Sequence, residues 1–226
     1  MAIIVQDEFT EGADTNLDAH TPTTTGTGWT KENGSASWHL RCYAAQDNVE
    51  FTETGSRGDN LMYSSQPAPT TADVDVQFDS FRATPVSNDG AWGCFARFAD
   101  TSNFYSLGLY RTGVAADKKI FKRVTGTDTE LASGDNGITD GDVHLFEIRD
   151  ATKKLFHNSS EILSTTDNAI TAAGEAGLCL GEFMTTLDEC RHNIEFDDYI
   201  LTEISVANAP TGGIYGPLAG PLAGPI

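Results

Sequence analysis

The segment Gly90–Arg111, GAWGCFARFADTSNFYSLGLYR, decides the fold class. It holds two apolar, aromatic-rich runs, Ala91–Phe98 and Phe104–Tyr110, on either side of the turn-forming residues 99–103. Runs of this length that are rich in Phe and Tyr and bounded by Gly, Asp and Asn predict the two strands of a hairpin. Apolar side chains alternate onto both faces of these strands. We therefore expect the hairpin to lie at the centre of a sandwich, covered on both sides.

Strand patterns continue before and after this hairpin. Ala72–Arg82 alternates apolar and polar residues with a period of two, which is typical of a half-buried strand. Val143–Arg149 is almost continuously apolar, and His192–Val206 forms the last long strand-like run. The sequence therefore predicts an all-β fold, an antiparallel β-sandwich, formed by one domain over residues 1–206.

The composition limits the kinds of partner. Acidic residues outnumber basic ones by 33 to 14, for a net charge of −19, and no basic stripe is present. Such a chain repels phosphate backbones, so the sequence argues against nucleic-acid binding. No apolar run approaches the roughly 20 residues that cross a bilayer, and the first residues carry no basic start. We therefore expect neither a membrane segment nor a signal peptide.

The four cysteines, Cys42, Cys94, Cys179 and Cys190, show no CxxC spacing and are scattered over predicted strands. Without a secretion signal, we expect buried free thiols in preference to a disulfide framework or a zinc site. No phosphate loop, HExxH pattern or Ser-His-Asp order accompanies them. These patterns predict no cofactor.

The C-terminal segment Ala207–Ile226 differs in chemistry from the rest of the chain. Gly-Pro-Leu-Ala occurs at 216–219 and again at 220–223, followed by Gly-Pro-Ile. Proline at every fourth position removes backbone donors and blocks helix and sheet, so an extended arm is predicted. Such an arm needs a surface to lie on, and a neighbouring subunit is the simplest one. The residues expected to form this assembly arm are Ile214, Tyr215, Pro217, Leu218, Pro221, Leu222, Pro225 and Ile226.

Several short motifs carry a family resemblance. They are the Ala91–Phe98 strand, the Asp100–Tyr105 segment with its Asp, turn, Asn and aromatic-Tyr pattern, and the closing strand at Phe196–Ile200. Together they resemble the concanavalin A-like lectin/glucanase (laminin G-like) jelly-roll family. The opening, Asp7–Thr10 with Gly28–Trp29 after it, is similar to versions of this domain in bacteriophage virion proteins. The resemblance covers the predicted domain but not the arm, and it implies a jelly-roll sandwich.

The family includes glycoside hydrolases, which need two carboxyl groups at a suitable separation. In those relatives the catalytic carboxylates lie two residues apart on one strand. Asp73, Asp75 and Asp79 have this alternation without a Glu, and Glu195 with Asp197 lacks the third acidic position. A solvated strand face explains both sets. The sequence therefore predicts no enzymatic activity and no catalytic residue.

Asp198 shares one face with Phe196 and Ile200 if the last strand is regular. A buried carboxylate is costly, so it must then be hydrogen-bonded, paired or bound to a cation. Alternatively, a bulge at Asp197–Asp198 resets the register. Some relatives bind calcium at loops through acidic and carbonyl oxygens, which implies a calcium site at Asp197 and Asp198 as one alternative. A structural hydrogen bond is the default.

Lectin-like relatives stack sugars on exposed aromatic side chains, and the resemblance extends this expectation to the present chain. Trp92 and Tyr105 lie inside apolar strands and are expected in the core. Trp29 follows a Thr-rich polar stretch, so we interpret it as the exposed candidate for glycan stacking.

Two function classes follow. The first is a non-enzymatic structural protein of a phage virion, either a capsid decoration or a tail or fibre component. Its arm would hold it to other virion subunits as a homo-oligomer, and it would be made in the host cytoplasm and located in the virion. The alternative is a lectin-like carbohydrate-binding module that recognises a host or matrix glycan. A glycosidase ranks third, because it needs a carboxylate pair in a cleft.

Overall fold

A computed structural model of the chain describes residues 1–34, 39–44, 48–51, 61–81, 91–110, 118–135, 137–180 and 195–205. In chain order, the strands of these residues are β1 (Ala2–Asp7), β2 (Thr15–Asn16), β3 (Gly28–Asn33), β4 (Leu40–Tyr43), β5 (Asn48–Phe51), β6 (Leu61–Gln66), β7 (Val74–Phe81), β8 (Ala91–Asp100), β9 (Asn103–Tyr110), β10 (Lys118–Val124), β11 (Thr127–Gly134), β12 (Asp142–Arg149), β13 (Thr152–His157), β14 (Ser160–Thr166), β15 (Glu175–Leu180) and β16 (Glu195–Glu203). A 3-10 helix, η1 (Leu17–Ala19), follows β2. The described residues include no helix long and apolar enough to span a membrane.

The strands form two antiparallel sheets that pack face to face. The first sheet has the order β14-β13-β12-β7-β16-β5-β4-β2, and β1 pairs with β16 beside it. The second sheet has the order β11-β10-β9-β8-β15-β6-β3. The prediction of an all-β antiparallel sandwich is confirmed. Because β15 lies between β8 and β6, residues far apart in sequence become neighbours on the second sheet.

The predicted hairpin is confirmed as β8 and β9, which lie in the middle of the second sheet. Trp92 and Cys94 pack in the main core between the sheets. Phe95 points to the opposite face and is also buried. Burial on both faces explains why the two runs lack the simple alternation of a half-buried strand.

The face of the second sheet that is turned away from the first sheet, here called the outer face, carries its own apolar cluster. The cluster consists of Met62, Phe95, Phe98, Phe104 and Cys179. The rings of Phe95, Phe98 and Phe104 pack with centroid separations of 5.2 to 6.4 Å. The second sheet is therefore apolar on both faces along its central strands.

The last strand, β16, contains the bulge that the sequence left as an alternative. Its pairing with β7 shifts between Asp197 and Ile200, and Asp198 has a φ of 46°. Phe196 and Tyr199 are buried in the core, whereas Asp198 is exposed. The alternative of a regular strand, which would bury the Asp198 carboxylate, is therefore wrong, because the extra residue of the bulge resets the alternation of side chains.

Three of the four cysteines, Cys42, Cys94 and Cys179, are buried, and Cys42 and Cys94 are free thiols, as predicted. Cys190 lies outside the described residues, as do the start of the predicted last strand at 192–194 and the domain boundary at 206. The arm at 207–226, with all of its assembly residues, also lies outside them. These features stay predictions.

A buried arginine, Arg97, connects β8 to segments next to the first sheet. Its side chain is 2% exposed, and its backbone has a φ of 50° at a break in the β8–β9 pairing. The guanidinium donates to the carbonyl oxygens of Ala72 at 2.7 Å, Ile170 at 2.7 Å and Asp150 at 2.9 Å. It also pairs with the carboxylate of Asp73 at 3.2 Å. The Arg97 guanidinium therefore donates hydrogen bonds to three carbonyl oxygens and one carboxylate.

A buried lysine, Lys153, completes the arrangement, which we call the Arg97–Lys153 cluster. Its ammonium donates to the carbonyl oxygens of Asp150, Ala151 and Asp167 and lies 4.3 Å from the centroid of the Tyr105 ring. Burial is the main cause that lowers the pKa of Lys153 to about 8, and the positive charge of Arg97 is the second. The cluster stabilises one end of the sandwich through hydrogen bonds to backbone carbonyls.

Candidate functional site

An open cleft of about 530 Å³ lies on the outer face of the second sheet, beside β3, β8 and β15. Glu32, Asp100 and Glu175 contribute three carboxyl groups to its wall, and the exposed side chains of Ala99 and Ala173 contribute apolar surface. Phe98, which is 5% exposed, and Pro69 line the cleft as buried residues. None of the described side chains that line it is basic. The cleft is therefore acidic, with an apolar part next to its carboxyl groups.

Three irregularities in strand pairing place these side chains. The pairing of β3 with β6 shifts around Glu32, and the pairing of β15 with β8 shifts just after Glu175. The pairing of β8 with β9 shifts around Phe98. A bulge bends its strand and turns a side chain away from its regular direction. The cleft therefore forms where three bulges meet.

Glu175 and Phe98 are direct cross-strand partners, so the carboxyl group lies beside the ring. Gly174 allows this close approach. A Cβ atom on Gly174 would lie 2.5 Å from the carbonyl oxygen of Phe98, closer than real side chains come. The glycine therefore sets how near the start of β15 lies to the end of β8.

Glu32 and Glu175 form a carboxyl pair in the cleft wall, within hydrogen-bonding reach of each other. Ser64 Oγ donates to Glu32 Oε1 at 2.6 Å, and Gln66 Nε2 lies 3.5 Å from Glu175 Oε1. Burial is the main cause that raises the pKa of Glu175, and the negative charge of Glu32 is the second. The pair therefore keeps a proton to a higher pH than an isolated glutamate would.

This pair can exchange several kinds of hydrogen bond with a polar ligand. An ionised carboxylate only accepts, whereas a protonated one also donates, so the two groups together offer both functions.

A second open cleft, of about 490 Å³, lies next to Gln66. Its wall is polar and includes Asp18, His20, Thr27, Trp29, Thr30 and Gln66. Because Gln66 lines this second cleft and also approaches Glu175, it connects the two clefts. The polar surface therefore continues along the β3–β6 side of the second sheet.

Trp29 lies in the wall of the second cleft but is only 4% exposed. Its Nε1 donates to Asp7 Oδ2 at 2.8 Å, and its ring packs edge-on against Tyr199 with the centroids 4.8 Å apart. The expectation that Trp29 is exposed is wrong, because the buried Asp7 carboxylate needs the indole donor. Trp29 has no free ring face on which a sugar could stack.

The same Asp7 carboxylate holds a buried histidine. His20 Nε2 lies 2.8 Å from both oxygens of Asp7, and its Nδ1 bonds Glu11. Burial alone lowers the pKa of His20, but the hydrogen bonds and charges of Asp7 and Glu11 raise it overall. His20 therefore links Asp7 and Glu11 and anchors the N-terminal segment.

Asp197 and Asp198 do not line either cleft. Asp197 lies opposite Asp79 on β7. Burial is the main cause that raises the pKa of Asp79 to about 6, and the negative charges of Asp198 and Asp197 raise it further. Within the described ranges, no group of three or more His, Cys, Asp or Glu side chains is arranged to hold a metal ion. The calcium site at Asp197 and Asp198 stays a prediction.

Sequence reasoning missed the residues that form the cleft. Glu32, Gln66, Phe98 and Glu175 come from four different strands, and no spacing along the chain connects them. Each carboxylate looks like an ordinary polar strand residue in the sequence. Only the positions of the bulges bring them together.

Comparison with known proteins identifies the fold but not a family. No family model matches the chain, and no curated protein matches it. Among solved structures, it is similar to the carbohydrate-binding module CBM66 from Bacillus subtilis, with a TM-score of 0.54 and 17% identity over 77% of this chain and 94% of that one.

Two further solved structures are similar. One is a protein of unknown function with a galectin-like fold from Bacillus subtilis, with a TM-score of 0.60 and 10% identity over 90% of this chain and 96% of that one. The other is the CBM2 module of an evolved Dit from Lactobacillus casei BL23 phage J-1, with a TM-score of 0.57 and 14% identity over 88% of this chain and 94% of that one. At these identities the likeness shows the fold alone. The chain has the jelly-roll sandwich architecture of galectin-like and carbohydrate-binding modules.

Proposed function

We propose that this chain is a carbohydrate-binding module that holds a glycan in the cleft at Glu32 and Glu175. The observation that carries this proposal is the cleft itself, an open groove in which carboxyl groups lie beside the exposed side chains of Ala99 and Ala173. Sugars present hydroxyl groups, which need acceptors and donors, and C–H faces, which need apolar contact. The cleft offers both on one wall.

The likeness of the fold supports this role more than it supports a purely structural one. Two of the similar solved structures are carbohydrate-binding modules. We therefore propose a non-enzymatic role, in which a bound oligosaccharide leaves the cleft uncleaved.

The test is binding of the full chain to a panel of soluble polysaccharides and immobilised glycans. Glu32→Ala and Glu175→Ala should each weaken binding at least tenfold, since each removes a hydrogen-bonding group from the wall. Asp140→Asn is the matched control, because it removes one exposed carboxylate in the turn before β12. Undiminished binding by both cleft variants would contradict the proposed site, and chromatography of the ligand after long incubation would reveal any cleavage.

A second candidate function is a place in a phage virion. It is supported by the likeness to a module of a phage Dit and by the Gly/Pro-rich sequence of the arm at 207–226. The two functions are compatible, since a virion subunit can carry a glycan-binding cleft. Other virion subunits would then be the partners of the arm.

This second function is tested by comparing the full chain with one that ends at Val206. We expect the full chain to form an oligomer or to bind its particle, with the arm protected from limited proteolysis, and the shortened chain to stay monomeric. Identical monomers with an arm that protease removes freely would count against the virion function, while leaving the glycan-binding function untouched.

A further inference from the structure

We propose that the sandwich carries an acid-sensitive switch, in which protonation of His144 opens the end where β12 begins and β13 ends, here called the β12 end. The opposite end, which holds the Arg97–Lys153 cluster, stays closed. The switch does not depend on what the cleft binds, because the cleft includes Phe98, next to Arg97, and so lies at that opposite end.

The interior of the β12 end is polar around a buried histidine. His144 is fully buried, and its ring lies against the ring of Phe78 with the centroids 5.5 Å apart. Its Nε2 lies 3.0 Å from Ser80 Oγ. Its Nδ1 is buried and has no hydrogen-bond partner within the described ranges. A neutral imidazole tolerates this arrangement, because only one of its two nitrogens carries a hydrogen.

The charged and titratable groups that face His144 come from three strands. From β13, the ring of His157 stacks on it with the centroids 5.3 Å apart and 9° between the planes. From β10, the buried Lys118 acts on it through its positive charge. From β12 itself comes one carboxylate, Asp142, whose Oδ2 lies 2.8 Å from His157 Nε2. The ring and the hydroxyl that β7 contributes carry no charge.

The closed β12 end therefore resists protonation of His144. An imidazolium carries N–H donors on both nitrogens, and the one on Nδ1 would be buried without an acceptor. Burial is the main cause that lowers the pKa of His144 to about 3, the positive charges of His157 and Lys118 lower it further, and the charge of Asp142 opposes them. Only when this end opens to water can the ring take a proton near its ordinary pKa of about 6.5.

The difference between these two pKa values gives the direction of the effect. From about pH 6.5 down to about pH 3, the open state binds one proton more than the closed state. The equilibrium constant for opening therefore rises as the pH falls, by about tenfold per pH unit.

Asp142 acts in the same direction at lower pH. Burial alone raises the pKa of its carboxyl group, but hydrogen bonds from the Thr139 amide, Asn158 and His157 lower it overall. Its contribution to stability is present above the unfolded pKa of about 3.9 and is lost as the pH falls through the folded one. Acid therefore weakens both titratable groups that β12 places at this end.

The β12 end is closed by bonds between the start of β12 and the β13–β14 turn. Asn158 Nδ2 donates to Asp142 Oδ1 at 2.8 Å, and Asn158 Oδ1 accepts from the Val143 amide at 2.9 Å. The Asn158 amide donates to the Val143 carbonyl oxygen at 2.9 Å. Because His144 pairs with His157 directly beside these bonds, moving the His144 ring into water separates the two strands there. The amides of Val143 and Asn158 therefore report the opening.

The other buried cations respond differently to mild acid. Arg97 and Lys153 donate to backbone carbonyl oxygens, which do not titrate. Burial alone lowers the pKa of His20, but the hydrogen bonds and charges of Asp7 and Glu11 outweigh it and raise that pKa. Between about pH 6 and about pH 4, we therefore expect the loosening only at the β12 end.

The experiment measures hydrogen exchange of the full chain, residue by residue, between about pH 6 and about pH 4. The Val143 and Asn158 amides are the reporters of the β12 end, and their protection factors should fall about tenfold per pH unit. The Asp167 amide, which donates to the Ala151 carbonyl oxygen at 2.8 Å, reports the opposite end and should keep its protection. Over the same range, the NMR signal of the His144 ring should not titrate, because the closed state keeps it neutral.

The double variant Ser80→Ala/His144→Phe removes the titrating ring together with its hydrogen-bond partner and keeps an aromatic ring beside Phe78. We expect the reporter amides to lose their dependence on pH. His39→Asn is the matched control, because it removes a partly exposed histidine that lies 3.8 Å from Asp18, and it should keep that dependence. If the double variant does not fold, the ring titration of the wild-type protein decides.

Several results overturn the inference. Protection of the reporter amides that stays constant from about pH 6 to about pH 4 shows that acid does not open this end. Equal losses at Asp167 show that the whole sandwich unfolds. A His144 ring that titrates near pH 6.5 while the reporters stay protected shows that the core accepts the imidazolium. A dependence on pH that the double variant retains assigns the effect to another group.

Discussion

The Arg97–Lys153 cluster and the Glu32–Glu175 pair both lie near the end of β8 but differ in how their charges are paired. Arg97 and Phe98 are consecutive residues of β8, and the irregular backbone there sends one into the cluster and the other to the cleft. In the cluster, backbone carbonyl oxygens accept from each cation, and the Asp73 carboxylate also pairs with Arg97. In the cleft, Ser64 and Gln66 lie against Glu32 and Glu175, and no basic side chain of the described residues lines the wall.

This difference separates a structural polar site from the proposed binding site. A buried charge that is fully hydrogen-bonded holds the fold together, and removing it leaves its partners without hydrogen bonds. A pair of like charges costs stability, so it is maintained only where a ligand or a proton completes it. The comparison predicts opposite effects on stability when charge is removed from the two regions.

The largest effect is expected for Arg97→Met. The Asp73 carboxylate and three carbonyl oxygens each lose a donor in a site that is 2% exposed, so the free energy of unfolding should fall by about 3–5 kcal/mol. Urea unfolding measures it. Arg123→Met is the control, because Arg123 pairs with a half-exposed Asp128 and should cost about 1 kcal/mol or less. Equal losses in the two variants would remove the distinction between the two kinds of site.

A smaller effect is expected for His20→Asn. The pKa of His20 is raised in the folded state, so its contribution to stability is complete below the unfolded pKa of about 6.5 and is lost as the pH rises through the folded pKa. At about pH 6 the variant should lose about 1–3 kcal/mol, because the buried Asp7 loses its charged partner. Above the folded pKa the two proteins should converge. Parallel pH profiles of unfolding would show that the imidazolium contributes nothing.

The smallest effect, and one of opposite sign, is expected for Glu175→Gln. The pKa of Glu175 is raised in the folded state, so the wild-type protein should lose stability as the pH rises from the unfolded pKa of about 4.3 through the folded one. Removing the charge should therefore stabilise the protein at pH 7, by about 0.5 kcal/mol or less, because the partly exposed group is screened by water.

Glu147→Gln provides the matched control for that variant. Glu147 lies 3.5 Å from Arg149, so its neutralisation should leave stability unchanged or lower it slightly. Thermal unfolding at pH 5 and pH 7 distinguishes the two variants. If Glu175→Gln destabilises the protein at pH 7, the pair contributes to the fold, and the contrast between the cleft and the Arg97–Lys153 cluster fails.

Some features of the molecule could be predicted from the sequence because they depend on local pattern. The β8–β9 hairpin follows from two apolar runs around a short turn, and β7 follows from clean alternation. The bulge in β16 was one of two alternatives, since the cost of burying Asp198 indicates an irregularity but not its position. The exposure of Trp29 was predicted wrongly, because nothing in the neighbouring sequence shows that Asp7 needs its indole donor.

The sequence by itself determined the class of fold, the alternation of its strands and the burial of Cys42, Cys94 and Cys179, because these depend on side chains within a few residues of each other. Only the tertiary structure decided the cleft. Glu32, Gln66, Phe98 and Glu175 meet because β15 lies between β8 and β6 and because bulges in three strand pairings turn their side chains to one place. A bulge shifts the register by one residue, and its position depends on the partner strand, which the local sequence does not contain.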